Sequence, residues 1–456
     1  MTSDNVEVGS RKSDVRPDFG LQTSDFRLQT SGFAVLTAIA IVVVVCVIYW
    51  EAARSYFFND DFQWLSDAER FHALGLLHLE RYDHFYRPVI EIYFSLGRAL
   101  FGCAALPFHL GSIAIHLLSV LLLALFAYDL TGRGWLAGTG ALFFAVQPGF
   151  VEAVAWIGAI TDLLPAFWYL LTLWLYLRFL AAGGVAYYAL SIIAFTACLL
   201  THESSATLLV MLFALEWTVS DRSRPLPARM SWARAMVRYA PFAALLAGSL
   251  TIAYIVNSRS YLIREGHYQL GWHAVLHILQ YIVSLYVGKQ RIWSYALVVI
   301  ACGVLLVRGS PRVRFYVVWI LVALAPASLF TWDNVSRYLY LPGAAFALLL
   351  AEGVIAFHDA LRARIPPRVA RAVVGVLTIG LALRFSIFAA RGSKDFRERT
   401  KPYERLAAAV AAAYPTPPRD GVVHVDAADV YGVPEMYRQP AVEAVYCMSG
   451  VRVVVN

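Results

Sequence analysis

The sequence predicts an all-α polytopic membrane protein. Of its 456 residues, 59% are hydrophobic and only 15% are charged, whereas soluble domains carry about a quarter charged residues. Apolar runs of roughly 18 or more residues recur along the chain, and each is long enough to cross a bilayer as a helix. Arginines cluster in the short loops between these runs, which is typical of cytoplasmic loops. The net charge of +7 therefore indicates membrane topology and gives no support to nucleic-acid binding.

Eleven membrane-spanning helices are predicted within a transmembrane domain that covers residues 32–390. The polar stretch before it, residues 1–31, has the composition of a disordered cytoplasmic tail. A long outward loop, residues 51–106, contains amphipathic stretches, so we expect residues 61–80 and a segment beginning at Pro88 to form helices on the membrane surface. The predicted spans cover residues 32–50, 107–128, 134–149, 161–180, 186–200, 204–219, 236–256, 291–307, 313–330, 337–357 and 370–390.

One further apolar stretch, residues 271–288, is ambiguous because it contains two histidines and has an amphipathic pattern. If it lies on the outer surface, the arginine-rich loops at 222–234, 308–314 and 362–371 all face the cytoplasm. If it crosses, the last two of these loops face outward. The positive-inside rule favours the surface arrangement, which places the N-terminus in the cytoplasm and the C-terminus outside.

The C-terminal segment, residues 391–456, has the composition of a soluble protein. Residues 403–413 are predicted to form a helix, and residues 421–426 and 451–455 two strands. We expect a small extracytoplasmic α/β appendage. Cys103 and Cys447 would both lie outside the membrane, but five cysteines without a regular spacing do not predict their pairing.

The candidate site residues all belong to loops or span ends on the predicted outward face. Acidic residues contribute little to orientation, so topology does not explain why carboxylates concentrate there. Charged groups inside the membrane cost roughly 2.5–3.5 kcal/mol each, which makes a functional or paired role the better interpretation. The charged residues on this face include Asp60, Asp61, Arg87, Glu152, Asp162, His202, Glu203 and Arg337.

Asp60 and Asp61 follow the first span directly and are flanked by aromatic residues. One acid would suffice to cap a helix. A second acid beside it raises a carboxyl pKa through like-charge repulsion and partial desolvation, and a raised pKa suits a general base. Capping and catalysis remain equal alternatives on these two residues alone.

Two arginines are candidates for binding a phosphate, because a guanidinium presents a planar fork of donors. Arg87 lies between Tyr86 and Pro88, where it could equally be an arginine that extends to the membrane surface. Arg337 precedes Tyr338 at the start of a span. The simpler alternative for Arg337 is a pair with an acid four residues earlier.

Three acids and a histidine are expected to support the site. Glu152 and Asp162 flank an apolar segment that contains a tryptophan, where a surface turn has no need of an acid. His202 and Glu203 lie at the tip between two short spans, where buried charges need partners.

Taken in order, these motifs resemble those of the membrane GT-C glycosyltransferases. The protein O-mannosyltransferase branch, whose eukaryotic members carry tetratricopeptide repeats, is the most similar, and bacterial enzymes such as the lipid A aminoarabinose transferases share the plan. The resemblance covers residues 32–357. The motifs are the acidic pair, Tyr-Arg-Pro, Pro-x-x-x-Glu-Ala-Val-Ala-Trp with a following Asp-Leu-Leu, His-Glu-Ser and Arg-Tyr-Leu-Tyr-Leu-Pro.

The resemblance implies a GT-C-like fold and an inverting sugar transfer from a polyprenyl-phosphate donor to an extracytoplasmic hydroxyl of a glycan, lipid or protein. Asp60 or Asp61 would activate the acceptor, with Asp60 slightly favoured. Arg87 and Arg337 would bind the donor phosphate. Supporting roles fall to Tyr86, Glu152, Asp162, His202, Glu203 and Tyr338.

The sequence departs from the mannosyltransferase pattern at three places. Gln147 stands where that branch usually has histidine, His202 where it usually has lysine, and residues 159–161 lack the usual arginine. These changes bear on the sugar and the acceptor. No cofactor is expected; no clear metal-ligand spacing is present, although a divalent metal is not excluded.

Two other functions are compatible with the sequence. A transporter or flippase of a glycolipid would usually carry charges in the middle of its spans and duplicated halves, and neither is evident here. A non-catalytic protein that keeps the GT-C fold is the other alternative.

Overall fold

The computed structural model describes residues 32–82, 85–219, 232–286, 290–332, 335–419 and 421–456. The predicted N-terminal tail, residues 1–31, lies outside the described residues. The described part is almost entirely helical, and its helices pack on each other around one apolar core.

The described residues of the N-terminal half form ten α-helices. The first loop, predicted over residues 51–106, contains α2 and α3, which lie between the long helices α1 and α4. The bounds are α1 (Gly32–Ala53), α2 (Asp61–Glu69), α3 (Pro88–Phe101), α4 (Ala105–Thr131), α5 (Gly134–Ala145), α6 (Val151–Ala155), α7 (Ile160–Ala182), α8 (Val185–Leu199), α9 (Leu208–Val219) and α10 (Trp232–Asn257).

The C-terminal half contains seven helices and two strands. The strands are parallel and pair in register, with Val422 opposite Arg452. The bounds are α11 (Tyr261–Arg264), α12 (Trp272–Tyr286), α13 (Ile292–Arg308), α14 (Pro311–Ser328), α15 (Tyr340–Arg362), α16 (Pro367–Ala413), β1 (Val422–Val425), α17 (Glu435–Tyr446) and β2 (Arg452–Val455).

Helix packing brings distant parts of the chain together. Helix α7 packs against α4 and α8, α15 packs against α5 and α14, and α1 packs against α16. The first and the last long helices are therefore neighbours, and the elements that follow α16 lie close to the first loop.

The chain is an integral membrane protein. Each of the eleven predicted spans coincides with a helix, and residues 271–288 also contain one, α12. Which of the shorter helices cross the membrane stays a prediction. Among the described residues, the segments long and apolar enough to cross are Val35–Ala53, Ala105–Thr131, Ile157–Ala182, Met236–Asn257, Pro311–Ser328, Ser336–Arg362 and Pro367–Ala413; shorter apolar helices are Gly134–Ala145, Val185–Leu199, Trp272–Leu285 and Ile292–Arg308.

The helix predicted over residues 61–80 is wrong in its length. Helix α2 ends at Glu69, and 3-10 turns follow at Ala73–Leu77 and Leu79–Arg81. The cause is local, because the His72 side chain accepts a hydrogen bond from the Gly75 backbone N–H at 3.0 Å and starts a new turn. A side chain that bonds to nearby backbone competes with the helix in this way.

The helix predicted over residues 403–413 is not a separate element. It is the end of α16, which runs without interruption for 47 residues. At 1.5 Å per residue the helix is about 70 Å long, more than twice the thickness of the hydrocarbon core of a bilayer. Hydropathy falls near residue 391, but the backbone stays helical because the polar half packs on the first loop.

The two predicted strands are confirmed, and they belong to a small α/β unit with α17. Val423 of β1 and Val442 of α17 are buried in the same apolar core as the helices. A disulfide joins Cys103, just after α3, to Cys447, just after α17. The C-terminal unit is therefore attached covalently to the first loop.

Candidate functional site

The first loop packs against the C-terminal half of α16. Tyr403 donates a hydrogen bond to Asn59 Oδ1 at 2.5 Å, and the Phe58 ring packs edge-on against the rings of Tyr403 and Phe396. Asn59 has a φ of 49°, in the left-handed region that asparagine tolerates better than most residues. Asp60 and Asp61 follow this turn, and their side chains bind different partners.

Asp61 is buried, with 1% of its surface exposed. Its Oδ2 accepts the Phe58 backbone N–H at 2.8 Å, and its Oδ1 accepts the Gly158 backbone N–H at 2.5 Å. Burial raises the pKa of this carboxyl well above its usual range, the two backbone hydrogen bonds lower it, and the Asp60 charge raises it by a smaller amount. Asp61 thus ties the first loop to the turn at Gly158.

Trp156 strengthens the same junction. Its Nε1 donates to the Phe58 carbonyl at 3.1 Å. Gly158 leaves the space in which these groups meet, because a Cβ there would lie 3.0 Å from Asp61 Oδ1 and 3.1 Å from Trp156 Nε1. A glycine is needed where backbone approaches this closely.

Asp60 has a different environment. It precedes α2 at the N-cap position, but its side chain does not accept a capping hydrogen bond from that helix. Instead Oδ1 accepts the hydroxyl hydrogen of Tyr437, on α17, at 2.5 Å. Asp60 is only partly buried. The two acids of the pair therefore differ in exposure and in every hydrogen-bond partner.

Arg87 is held by the turn between α8 and α9. Its Nη2 and Nε donate to Glu203 Oε2 at 2.7 and 3.1 Å, and Nη2 also lies 3.0 Å from Nε2 of His202. The guanidinium lies 4.0 Å from the ring centroid of Phe85. Burial is the largest single effect on the pKa of Glu203 and raises it, but the Arg87 charge, the neighbouring His202 and the hydrogen bonds together lower it below its usual value.

His202 is neutral in this arrangement. Burial, followed by the Arg87 charge, lowers the pKa of its imidazole to about 3. Nδ1 of the ring accepts the Ser204 backbone N–H at 3.1 Å, while Nε2 faces Nη2 of Arg87. The Ser204 hydroxyl lies 2.9 Å from the same Nδ1.

Arg337 joins the start of α15 to two acids of the preceding loops. Its Nη1 donates to Glu152 Oε1 at 3.0 Å and its Nε lies 3.1 Å from Asp162 Oδ2. The guanidinium also lies 5.0 Å from the Trp156 ring and 5.1 Å from the Tyr338 ring. The alternative partner considered from sequence, four residues before Arg337, lies outside the described residues.

Both arginines line one cavity of about 160 Å³. Charged and polar side chains from five parts of the chain line it together with tyrosines and apolar side chains. The charged and polar residues are Arg87, Asp162, His202, Glu203, Ser204, Ser205, Asn257, Ser260 and Arg337. The other lining residues are Phe85, Pro165, Ala166, Tyr169, Leu262, Ile263, Tyr268, Ala323, Pro326, Ala327, Phe330, Tyr338 and Leu341.

Four candidate residues are not part of this lining. Glu152 touches the site through Arg337. Tyr86 donates to the Leu76 carbonyl at 3.2 Å and thereby holds the 3-10 turn of the first loop. Asp60 and Asp61 are not among the residues that line the cavity. Of the ten candidates, six therefore meet in the cavity and four do not line it.

Sequence reasoning missed Tyr437 and Gly158. Tyr437 belongs to the C-terminal unit, for which no function was inferred, and it contacts Asp60 across 377 positions of sequence. Gly158 follows the segment with Glu152 and Trp156, and a glycine at such a position could have been read as a sign of close packing around the backbone.

Among the described residues, no group of three or more His, Cys, Asp or Glu side chains is arranged to hold a metal ion. The three cavity-lining members of these types, Asp162, His202 and Glu203, are engaged by the two arginines or by each other.

Comparisons with solved structures define the fold. ArnT from Cupriavidus metallidurans bound to undecaprenyl phosphate is similar at a TM-score of 0.52, with 12% identity over 93% of this chain and 86% of that chain. The apo state of the same protein gives a TM-score of 0.53 with the same identity and coverage. The chain has the GT-C fold.

The Archaeoglobus fulgidus oligosaccharyltransferase in its apo form is also similar, with 13% identity and a TM-score of 0.48. The match covers 93% of this chain but only 65% of the oligosaccharyltransferase. No family model and no curated protein matches the sequence. At these identities, the similarity to solved structures shows the fold alone.

Proposed function

We propose that this GT-C-fold protein is a glycosyltransferase that moves a sugar from a polyprenyl-phosphate donor to an acceptor hydroxyl with inversion. The observation that carries the proposal is the cavity, whose lining contains Arg87 and Arg337 together with many apolar side chains. A phosphate with an apolar tail likewise combines a charged head with a hydrocarbon chain.

The arginines retain donors for a phosphate although both are paired. A guanidinium has five N–H groups. In the described structure, the hydrogen bonds of Arg87 use Nε and Nη2, and the contacts of Arg337 with acids use Nε and Nη1. Among the described residues, no hydrogen bond or ion pair uses Arg87 Nη1 or Arg337 Nη2, and we propose that these N–H groups bind the phosphate. The acids hold each guanidinium in place before the ligand arrives, which reduces the cost of organising the site.

The proposed reaction places charge where the arginines are. As the acceptor oxygen attacks the anomeric carbon, the bond from that carbon to the phosphate oxygen breaks and its electron pair goes to the phosphate. The departing phosphate gains one negative charge, and fixed cationic donors stabilise it in a partly dry site. The acceptor hydroxyl loses its proton to a general base.

Asp60 suits the base better than Asp61. Both oxygens of Asp61 are bound by backbone N–H groups and 1% of its surface is exposed, so it has little access to an acceptor. Asp60 is partly exposed and has a side-chain hydrogen bond only on Oδ1 among those of the described residues. The acceptor would be a glycan, lipid or protein on the extracytoplasmic side, the side that the arginine distribution predicts for this end of the molecule.

The first test separates binding from transfer. Purified protein in nanodiscs is titrated with undecaprenyl phosphate and with undecaprenol, and membranes are assayed for transfer from polyprenyl-phosphate sugars. We expect tight binding of the phosphate only, and transfer that Asp60→Asn abolishes without affecting binding. Full transfer activity in both Asp60→Asn and Asp61→Asn would refute the assignment of the base to this pair.

A non-catalytic GT-C-fold protein is the second candidate, because Asp60 and Asp61 do not line the cavity. It predicts phosphate-dependent lipid binding without transfer from any polyprenyl-phosphate sugar. Equal binding of undecaprenyl phosphate and undecaprenol would argue against both candidates.

A further inference from the structure

The C-terminal unit reaches into the acidic pair. Tyr437 lies in the first turn of α17, and its hydroxyl donates to Asp60 Oδ1 at 2.5 Å. Helix α17 packs against α2, which begins immediately after Asp60. A segment at the end of the chain therefore supplies a direct hydrogen bond to the carboxylate that we propose as the base.

Two connections hold the other end of α17, and further contacts of Arg98 extend them to α2. The disulfide between Cys103 and Cys447 ties the residue after α17 to the residues after α3. Arg98 of α3 donates to the Cys447 carbonyl at 2.7 Å and to the Leu65 carbonyl of α2 at 2.9 Å. Arg98 also pairs with Glu69 at the end of α2, at 3.1 Å. Helices α2, α3 and α17 are thus joined at one point.

Packing makes the arrangement rigid along the length of α17. Ala441, Val442 and Ala444 are buried in the core that the C-terminal unit shares with the helix bundle. In addition, Gly432 lies against Pro402 of α16, where a Cβ would be 3.2 Å from the proline ring. The position of Tyr437 is therefore set by a covalent link, an arginine and apolar packing.

We infer that Tyr437 is a positioning residue for Asp60 and that the C-terminal unit is a component of the transfer site. This inference rests on the proposed function. A hydrogen bond to one carboxylate oxygen holds the Asp60 side chain in one orientation. The second oxygen, Oδ2, can then accept the proton of the acceptor hydroxyl, while Tyr437 keeps its own proton.

The decisive variant is Tyr437→Phe, which keeps the ring and removes only the hydroxyl. Hydrogen bonds to charged groups contribute about 1.5–3 kcal/mol, so we expect kcat to fall by at least about tenfold. The KM for the donor should not change, because Tyr437 does not line the cavity that holds the arginines. Tyr431→Phe is the matched control, since Tyr431 lies in the same unit and is 77% exposed.

The split between kcat and KM, measured together with the melting temperature, distinguishes positioning from a purely structural role. Without the Tyr437 hydroxyl, Asp60 loses the contact that orients it, so kcat should fall while the donor KM and the melting temperature keep their wild-type values. A structural defect would lower the melting temperature as well as kcat. Non-reducing electrophoresis checks that the Cys103–Cys447 disulfide is intact in both variants.

The outcomes separate the two levels of the proposal. If Tyr437→Phe keeps the wild-type kcat, or loses kcat together with its melting temperature, the positioning role is wrong while the glycosyltransferase assignment stands. If the wild-type protein transfers no sugar from any polyprenyl-phosphate donor, the proposed function fails and the role of Tyr437 fails with it.

Discussion

Arg337 and Glu152 form an ion pair at 3.0 Å between residues that are 185 positions apart. The pair joins the start of α15 to the short helix α6, and Arg337 reaches Asp162 at the start of α7 as well. The Arg337 guanidinium therefore joins three elements of the chain beside the cavity.

The first prediction concerns this arginine. Arg337→Gln should weaken binding of undecaprenyl phosphate by roughly 10- to 150-fold, because a charge-assisted hydrogen bond contributes about 1.5–3 kcal/mol. Arg337→Lys should recover only part of the loss, since an ammonium cannot keep both acids and a phosphate in one planar arrangement. Binding is measured by titration in nanodiscs.

Arg362→Gln is the control for the loss of charge, because Arg362 lies at the far end of α15, the helix that follows the turn containing Arg337. It should bind the lipid phosphate as the wild type does. An equal loss of affinity in Arg362→Gln and Arg337→Gln would mean that net charge, and not the site, attracts the lipid.

The second prediction concerns the junction of the first and second loops. Gly158→Ala would put a Cβ 3.0 Å from Asp61 Oδ1 and 3.1 Å from Trp156 Nε1, so the hydrogen bonds of both side chains must shift. Overpacking of this kind costs about 1–3 kcal/mol. We expect a lower melting temperature and reduced transfer.

Gly138→Ala provides the comparison, because a Cβ at Gly138, on α5, meets nothing within 4 Å. Alanine is favoured over glycine in a helix, so this variant should be as stable as the wild type or slightly more stable. A Gly158→Ala protein with an unchanged melting temperature would show that the junction is not tightly packed.

The third prediction is a pH dependence of stability. The His202 pKa is about 3 in the folded protein and 6.5 ordinarily, so between these values the unfolded chain binds a proton that the folded chain does not. Stability therefore falls as the pH decreases from 6.5, by up to about 1.4 kcal/mol per pH unit for one proton. Glu203 acts in the same direction at lower pH, because its folded pKa is lowered.

His202→Gln removes the titrating ring and keeps a polar side chain beside Arg87. Its melting temperature should depend less steeply on pH below 6.5 than that of the wild type. His424→Gln, at an exposed position of β1, should leave the slope unchanged. The burial of a neutral His202 is contradicted if both variants have the wild-type slope.

The fold was largely predictable from the sequence because hydropathy determines where helices can cross lipid. All eleven predicted spans are helices, and the two C-terminal strands are present. The continuity of α16 was not predictable in the same way. Hydropathy changes within the helix near residue 391, whereas the backbone continues because Tyr403 and Phe396 pack on the first loop.

The site was predictable in its composition but not in its pairings. Sorting charges by membrane side gathers Arg87 and Glu203, yet only the folded chain shows that they are partners across 116 positions. The different surroundings of Asp60 and Asp61 were also beyond the sequence. They depend on the turn at Asn59 and on Tyr437, which comes from the other end of the chain.

The last prediction concerns the disulfide. Replacing Cys103 and Cys447 by serine removes the covalent link between the first loop and the C-terminal unit. The Arg98 contacts and the buried face of α17 remain, so we expect the membrane domain to stay folded while α17 separates more often from α2. Limited proteolysis should then cleave the C-terminal unit several times faster than in the wild type.

Cys302→Ser is the matched control, because Cys302 is a free cysteine on α13. Its proteolysis rate should equal that of the wild type, with and without reductant. Reductant should accelerate cleavage in the wild type and in Cys302→Ser but not in the double serine variant. If reductant does not change the cleavage rate of any of these proteins, the noncovalent contacts of Arg98 and α17 hold the unit without the disulfide. Breaking the disulfide then leaves the population of the separated state unchanged.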